Sequence, residues 1–367
     1  MILVFGGTTE GRKAVEVLEE AGTPYYYSTK TGGQDIVLHN GQRTNGALDA
    51  EAMRLFCREH DIRLIVDAAH PFASRLHETI ASMGLPVVRY ERIYPPRDED
   101  ITWIDDYTDI VAADLHGTLL ATTGVQSIGK LKHLEAQGVR IVYRILNRES
   151  SILLAHEQGA TDDQLCYYED GTMPPADAIL LKESGLSGGF VEKVAEARAK
   201  GMRIIALKRP PTLSFFNSCV PTVASDQRSS GQFSIINGPY GLRRAVERLL
   251  PEFFPLHSGL TTGTCATAAA VAATRQLLYG ETPAEVPVVL PNGETIMVAV
   301  GYEGKGCAYC IKEAGDDPDV TNGIEVRAEI RPTPDSRGPS NGARTTAGRS
   351  SGFPGRRAYA LRRSRAS

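Results

Sequence analysis

A glycine-rich turn close to the start of this chain is well suited to hold a phosphate. Four or five apolar residues, typical of a buried parallel strand, lead into the turn, and a helical apolar pattern follows it. Glycine lets the backbone approach a phosphate closely, and free amides at the start of a helix attract its charge. An ordinary tight turn is the alternative, because the spacing is not GxGxxG. The residues predicted to bind the cofactor here are Gly6, Gly7, Thr8, Thr9, Glu10 and Gly11.

The end of the predicted second strand is the place where a dinucleotide-binding fold usually meets the adenosine ribose. An acidic residue there favours a free 2′-hydroxyl, whereas Ser28 and Lys30 are better suited to a 2′-phosphate. The cofactor predicted from these two residues is NADPH, with NADH as the second choice. A solvated polar turn is the alternative interpretation.

A candidate for proton chemistry follows the apolar strand predicted at residues 62–66. Asp67 and His70 lie at the end of this strand, and in an open parallel sheet chemistry collects beyond the carboxyl ends of the strands. A carboxylate beside a histidine can orient the ring and hold its proton. We therefore predict both residues as catalytic, with His70 as the proton donor. An ordinary surface loop is the alternative.

Cations follow two later strands, Lys182 after one and Lys208 with Arg209 after the other. Isolated basic residues are normally solvated. When they recur at the same edge of a sheet, they indicate a pocket for an anionic ligand.

The elements that must position these groups form a repeated pattern. Strand, small-residue turn, helix, glycine and strand occur at the N terminus and again from Thr118. Because strands that alternate with helices build parallel sheets, the pattern predicts an α/β fold. We expect two Rossmann-like units with parallel sheets, at residues 1–116 and 117–254.

A different pattern begins near Leu256. A loop of glycine and hydroxyl residues leads into an alanine-rich helix, and Pro291-Asn292-Gly293 joins two strand patterns into a hairpin. These features predict a partial α+β domain at residues 256–330. Its first loop is either a second anion or cofactor site or a tight helix contact.

Residues 331–367 change character abruptly. They contain nine arginines, no lysine and one acidic residue, Asp335, and they have no core periodicity. Such a segment is predicted to be disordered. It is either an arginine-rich arm or a coding sequence read out of frame, and the absence of lysine favours the second interpretation.

The composition restricts the partners and the compartment. A net charge of −4 is too small to indicate a nucleic-acid partner, and no apolar run approaches the length of a membrane span. Six cysteines without a framework pattern predict a reduced cytoplasmic protein. No metal site is expected, because Cys307 and Cys310 form a lone CxxC and the acidic loop near residue 316 lacks EF-hand spacing. No pattern specifies an oligomeric state.

Several motifs together resemble a known enzyme family. GGTTEGR at residues 6–12, DAAHPFA at 67–73, the TTG turn at 122–124 and KESG at 182–185 resemble the precorrin-6A and cobalt-precorrin-6A reductases of cobalamin biosynthesis. This resemblance covers about residues 1–250. HSGLTTGTCATAAA, LPNGE and AGDDPDVTNG resemble the start of the cobalt-precorrin-5B methyltransferase family, over about residues 256–330. The chain is thus similar to a reductase fused to an incomplete methyltransferase.

The resemblance implies hydride transfer from a reduced nicotinamide to one double bond of a corrin precursor. The macrocycle would lie in the cleft between the two units, with cations around its carboxylates. S-adenosylmethionine would bind only if the methyltransferase part were complete. The substrate-binding residues implied are Arg12, Thr123, Gly124, Arg144, Lys182, Ser184, Lys208 and Arg209, together with Arg148.

Two other functions stay open at this point. One is a different NAD(P)-dependent oxidoreductase, acting on a nucleotide sugar or a small ketone, although no tyrosine-x-x-x-lysine pair is placed as its catalytic acid. The other is a non-catalytic nucleotide-sensing module.

Overall fold

Two parallel sheets of six strands each make up most of the fold. The structure, a computed structural model, describes residues 1–30, 32, 34–216 and 233–331. The segment predicted to be disordered, residues 331–367, lies outside the described residues except for Arg331.

The elements follow one another in a regular alternation of strands and helices. The first are β1 (Ile2–Phe5), α1 (Thr9–Glu19), β2 (Tyr25–Thr29), β3 (Gly41–Asn45), α2 (Ala50–Glu59), β4 (Leu64–Asp67), α3 (Ser74–Ala81) and β5 (Val87–Tyr90). The next are β6 (Thr102–Ile104), β7 (Thr118–Ala121), α4 (Ile128–Glu135), β8 (Arg140–Ile145), α5 (Glu149–Glu157), β9 (Leu165–Tyr167), β10 (Ala178–Lys182), α6 (Phe190–Ala199) and β11 (Arg203–Leu207). The last are α7 (Thr212–Phe216), β12 (Phe233–Ile236), α8 (Pro239–Leu249), α9 (Thr262–Tyr279), β13 (Glu285–Val289), β14 (Thr295–Ala299), β15 (Gly301–Gly304), β16 (Cys307–Ile311) and β17 (Glu325–Glu329).

The first sheet has the strand order β12-β5-β4-β1-β2-β3, and all its neighbours are parallel. Its central strand β1 is buried on both faces, which explains its continuous apolar run. Val4 packs with residues of α1 and α8, whereas Leu3 packs with residues of α2, α3 and α7. The carboxyl ends of all six strands therefore meet at one edge.

The second sheet repeats this arrangement, in the order β6-β11-β10-β7-β8-β9 with parallel neighbours throughout. Its strand β7 lies between β10 and β8, just as β1 lies between β4 and β2. Each of these two central strands leads into a small-residue turn. The predicted pair of parallel-sheet units is confirmed.

The chain does not divide between the sheets where the sequence pattern divides it. β6 lies before residue 116 but pairs with β11 of the second sheet. β12 and α8 lie after residue 117 but belong to the first unit, where β12 pairs with β5 and α8 packs against α1. The second unit is thus inserted between two segments of the first. Strand patterns do not specify which sheet an edge strand joins.

The last part of the described chain contains α9, the hairpin of β13 and β14, and the antiparallel sheet of β15, β16 and β17. The buried carboxylate of Glu294, in this hairpin, accepts hydrogen bonds from the Tyr240 and Gly241 amides at the start of α8. Arg244 of α8 pairs with Glu313 at 3.0 Å. This part is therefore bonded directly to the first unit. None of the described helices is both long and apolar enough to cross a membrane.

Candidate functional site

A cavity of about 1130 Å³ lies between the two sheets, at the edge where their parallel strands end. The turn after β1 and the segments after β2, β3 and β4 form one wall. The start of α4 and the segment after β8 form the opposite wall. Both units therefore contribute side chains to a single site.

The glycine turn is closely packed on one side and open on the other. A Cβ atom at Gly6 would overlap the Tyr27 phenol, and one at Gly11 would lie 2.8 Å from the Gly6 Cα. Gly7 has φ +84°, and a Cβ atom there would meet no atom of the described residues within 4 Å. Gly6 and Gly11 thus let the turn pack, whereas Gly7 faces the cavity and leaves its backbone accessible.

Side chains of the protein already contact part of this turn. The Gly7 amide donates to Tyr27 Oη and to Gln34 Oε1, each at 3.1 Å, and Gln34 Nε2 donates to the Thr8 carbonyl at 3.0 Å. The Thr8 hydroxyl caps α1 by accepting from the Gly11 amide at 3.0 Å. A phosphate must therefore displace Gln34 from Gly7, or use the first-turn amides of Thr9 and Glu10, which no described residue accepts from.

The Glu10 side chain does not line the cavity, so only the backbone amide of this predicted cofactor residue is available to a ligand. It is buried, forms an ion pair with Arg92 at 2.9 Å and accepts from Ser187. Arg92 in turn donates to the Ser184 carbonyl at 2.7 Å. Glu10 therefore connects α1 to the second unit. The sequence could not show this, because its partners are distant along the chain.

Ser28, Lys30 and Arg12 all line the cavity next to the glycine turn. Ser28 is buried, and its carbonyl accepts from the Gly6 amide at 2.9 Å. Lys30 and Arg12 are exposed and have no ion-pair partner among the described residues. A hydroxyl and two cations therefore lie within one region of the wall, as an additional phosphate requires.

Asp67 is fully buried and does not pair with His70, contrary to the expected pairing. Its carboxylate accepts from His77 Nδ1 at 2.7 Å and from the Arg89 guanidinium at 3.1 Å. Burial alone would raise the pKa of Asp67, but Arg89 and His77 hold it below its ordinary value. The sequence reasoning missed His77 and Arg89, which lie one helix and one strand further along the chain.

His70 lines the cavity as an uncharged ring. Burial, together with the nearby charges of Arg92, Lys182 and Arg89, lowers the pKa of His70 to about 3. Its Nδ1 accepts from the Phe72 amide at 3.3 Å, which leaves the proton on Nε2. His70 is linked to Asp67 only indirectly, because His77 Nε2 contacts the His70 carbonyl at 3.1 Å. At neutral pH His70 is therefore a hydrogen-bond donor and not a cationic acid.

Lys182 lies beside Phe72 of the cavity wall. Its Nζ is 5.2 Å from the centre of the Phe72 ring, which lines the cavity. Burial, and then repulsion from Lys130, lowers the pKa of Lys182 to about 8. The ammonium is therefore mostly protonated at neutral pH and releases its proton more readily than an ordinary lysine.

The charge of the cavity wall is strongly positive. Among the described residues that line it, only Asp49 carries a carboxylate, and this carboxylate caps α2. The cationic side chains of the wall that have no ion-pair partner among the described residues are Arg12, Lys30, Arg75, Lys130 and Arg148, whereas Arg92 is paired with Glu10. Such a wall suits a ligand with several anionic groups.

The structure does not bring the other predicted substrate residues to this wall. Lys208 pairs with Asp105 at 2.8 Å. Arg209 pairs with Glu183 at 2.6 Å and stacks on Tyr94. Their charges are therefore neutralised by the protein.

Four further predicted substrate residues have structural roles. The Ser184 hydroxyl donates to the Gly188 carbonyl at 3.0 Å, and the Thr123 hydroxyl bonds to Ser127 at 2.6 Å. Gly124 has φ +86° and begins the turn before α4. Arg144 packs against Tyr168 on the other face of the second sheet.

Five of the wall residues that the sequence reasoning missed carry a basic or amide side chain. Gln126 and Lys130 follow the TTG turn, so comparison with the first unit, where Arg12 follows the glycine turn, could have identified them. Gln34, Arg75 and Arg92 carry no local signal, because they lie in a loop, in a helix and in a connection between units.

Comparison with known proteins divides the chain into two parts. The family model described as precorrin-6x reductase CbiJ/CobK matches residues 1–225. The family model described as CbiD matches residues 251–352, which extends beyond the described residues.

Individual relatives agree with this division. The cobalt-precorrin-6A reductase of Priestia megaterium is 28% identical over 255 residues, which is 62% of this chain and 100% of the relative. The cobalt-precorrin-5B C(1)-methyltransferase of Brucella canis is 45% identical over 92 residues, which is 24% of this chain. The chain spans about a quarter of the length of that methyltransferase. A solved structure of the precorrin-6A reductase CobK aligns with a TM-score of 0.50 and 18% identity, over 68% of this chain and 97% of that one, which shows a shared fold.

Proposed function

This chain belongs to the precorrin-6x reductase CbiJ/CobK family, and we propose that it reduces one double bond of precorrin-6A or cobalt-precorrin-6A with NADPH in cobalamin biosynthesis. The observation that carries the proposal is the cavity between the two sheets. One of its walls holds a glycine turn, and the wall as a whole has many cations and one carboxylate. A volume of about 1130 Å³ exceeds that of most single-ligand pockets, which suits a nucleotide beside part of a macrocycle.

The first wall fits the phosphates of NADPH. Gly7 has no side chain to fill the cavity and offers its amide once Gln34 is displaced, and the amides of Thr9 and Glu10 are available at the start of α1. Arg12 and Lys30 supply positive charge beside them, and Lys30 and Ser28 are the proposed contacts of the 2′-phosphate. When bound there, NADPH supplies the hydride. NADH would lack the contact at Lys30, so NADPH is the preferred cofactor.

The opposite wall and the residues after β4 are proposed to hold the tetrapyrrole. Lys130, Arg148 and Arg75 face its carboxylates, and the uncharged His70 donates a hydrogen bond from Nε2. Asp67 is a positioning residue, since it holds His77, which contacts the His70 carbonyl.

Reduction of a carbon–carbon double bond adds one hydride and one proton. The His70 ring is uncharged at neutral pH, so we assign the proton to Lys182 instead. Its ammonium lies beside Phe72 and is the better acid at this pH.

The part of the chain after residue 254 is proposed to have no methyltransferase activity. It spans about a quarter of the methyltransferase relative, and S-adenosylmethionine would bind only to a complete domain.

The experiment that tests the proposal mixes the full chain with NADPH and cobalt-precorrin-6A and follows the absorbance of the reduced nicotinamide. We expect the absorbance to fall, with a product heavier by two hydrogen atoms in mass spectrometry. Consumption of NADPH with small ketones or nucleotide sugars in place of the tetrapyrrole would favour the other oxidoreductase. Binding of NADPH without any consumption would favour the sensing module.

A further inference from the structure

Two cations that have no ion-pair partner among the described residues lie together on the second unit, outside the wall of the cavity. Arg144 is near the end of β8, on the face where Val142 packs with residues of α6. Lys193 projects from α6. Both approach the ring of Tyr168, the Arg144 guanidinium to 4.8 Å and the Lys193 ammonium to 5.3 Å from the ring centre. We call these three residues the Tyr168 cluster.

The Arg144 side chain is incompletely satisfied. It is 4% exposed, and its terminal nitrogen donates to the Gly171 carbonyl at 2.8 Å. Its Nε is buried and has no hydrogen-bond partner among the described residues. An unpartnered buried donor is costly, and a charged donor more so. A hydrogen-bond acceptor that reached the Nε atom of Arg144 would remove this cost.

Glu192, next to Lys193 in the chain, offsets part of its charge without an ion pair, and two further carboxylates near the cluster are engaged elsewhere. Glu196 accepts from the Met173 amide at 2.9 Å and pairs with Lys200 at 3.1 Å, and Asp170 accepts from the Tyr167 amide. Within the described residues, neither Arg144 nor Lys193 forms an ion pair. Burial, and then repulsion from Arg144, lowers the pKa of Lys193. The ring of Tyr168 compensates these charges only in part.

The cluster lies outside the cavity wall but next to a segment that lines it. Tyr168 donates to the carbonyl of Thr122 at the end of β7, which places the ring at the carboxyl edge of the second sheet. Leu146, two residues after Arg144, lines the cavity itself. A flexible anionic arm of a ligand in the cavity could therefore reach the two cations around the end of β8.

We propose that Arg144 and Lys193 form an anion site that receives one carboxylate arm of the tetrapyrrole substrate. This inference rests on the proposed function, because the identity of the arm depends on it. The carboxylate completes the hydrogen bonds of Arg144 and neutralises both cations. The residues act in binding and orientation and take no part in hydride or proton transfer.

The test uses the full chain with Lys193→Met, and Lys200→Met as the matched control. Both substitutions remove one lysine charge from α6, Lys193 near its N-terminal end and Lys200 at its C-terminal cap, but Lys200 is ion-paired. Without ligand, we expect Lys193→Met to be at least as heat-stable as the wild type, because it removes a half-buried charge without a partner. A larger loss of stability than in Lys200→Met would mean that Lys193 is structural and would overturn the proposal.

Binding is measured directly by equilibrium titration with cobalt-precorrin-6A. We expect Lys193→Met to weaken the affinity about tenfold to a hundredfold, the value of one charge-assisted contact, with NADPH affinity unchanged. Lys193→Arg should retain most of the affinity. An unchanged tetrapyrrole affinity in Lys193→Met refutes the site.

Citrate at constant ionic strength separates two sources of carboxylate. If citrate stabilises the wild type and not Lys193→Met, while tetrapyrrole affinity is equal in both, the site takes small free anions and the substrate arm is excluded. If the wild type binds the tetrapyrrole through Lys193 but never oxidises NADPH, the reductase proposal fails and the anion site stands.

Discussion

Replacement of Gly7 by valine tests whether the nucleotide lies on the glycine turn. The residue has φ +84°, a conformation that costs a β-branched residue about 1–3 kcal/mol, so the variant should still fold. The new side chain would project into the cavity, where no atom of the described residues now lies within 4 Å of the Cβ position. Loss of two charge-assisted phosphate contacts, at about 1.5 kcal/mol each, weakens NADPH binding by roughly a hundredfold.

Gly22→Val is the matched control for this experiment. Gly22 follows α1, has φ +66° and likewise has open space around its Cβ position, but it does not line the cavity. Both variants should lose a similar free energy of unfolding in urea, whereas only Gly7→Val should lose NADPH affinity in a fluorescence titration. Near-normal affinity in Gly7→Val, or equal losses in both variants, would refute the placement of the nucleotide.

Four further outcomes are expected. Lys30→Glu should weaken NADPH binding more than NADH binding, and equal losses would contradict a 2′-phosphate contact. Asp67→Asn should lower the free energy of unfolding by about 3–5 kcal/mol, because Arg89 and His77 lose their buried carboxylate. The folded protein holds the pKa of Asp67 below its ordinary value of about 3.9. The ionised carboxylate therefore stabilises the fold fully above about pH 3.9, and this stabilisation is lost as the pH falls further. Urea titrations at pH 7 and pH 3 should show a larger loss of stability on acidification in the wild type than in the variant, which retains only the contributions of other carboxylates such as Glu91. If Lys182 donates the proton, kcat should fall above about pH 8. The Lys182→Met variant should lose about a hundredfold in kcat and should also lose this pH dependence. An unchanged pH profile in the variant would exclude Lys182 as the proton donor. Mass spectrometry after incubation with S-adenosylmethionine and a cobalt-precorrin should detect no methylated product, and its detection would show an active methyltransferase part.

The apolar strands of the fold could be predicted from the sequence, but the edge strands could not. β1 and β4 are continuous apolar runs buried on both faces, so composition alone identifies them. β3 is polar, with the sequence GQRTN, and is held by its neighbour β2 through backbone hydrogen bonds. β6 has only three residues. Pairing with a neighbouring strand defines these elements, and pairing is not visible in a local pattern.

In the candidate site, too, the features encoded by adjacent residues could be predicted, whereas those that depend on distant partners could not. The turn at Gly7 was predictable because its chemistry is local to a few adjacent residues. Glu10 and Arg209 were assigned to ligands and Asp67 to the orientation of His70, yet each forms an ion pair with a residue that lies far away in the sequence. Charge and position at a strand end show that a residue can bind an anion or a proton. They do not show whether the folded protein has already satisfied it.

Because β12 and α8 belong to the first unit, the second unit can complete its folding first during translation. Strands β6 to β11 form a complete parallel sheet from one uninterrupted stretch of chain. This sheet can therefore form while the rest of the chain is still being translated. The first unit can complete its folding only after α8 and β12 have been synthesised. Leu242, Ala245 and Val246 of α8 fill its core, and β12 pairs with its edge strand β5. Until those residues emerge, the nascent chain exposes an apolar helix face and an unpaired strand, which are the surfaces that chaperones recognise.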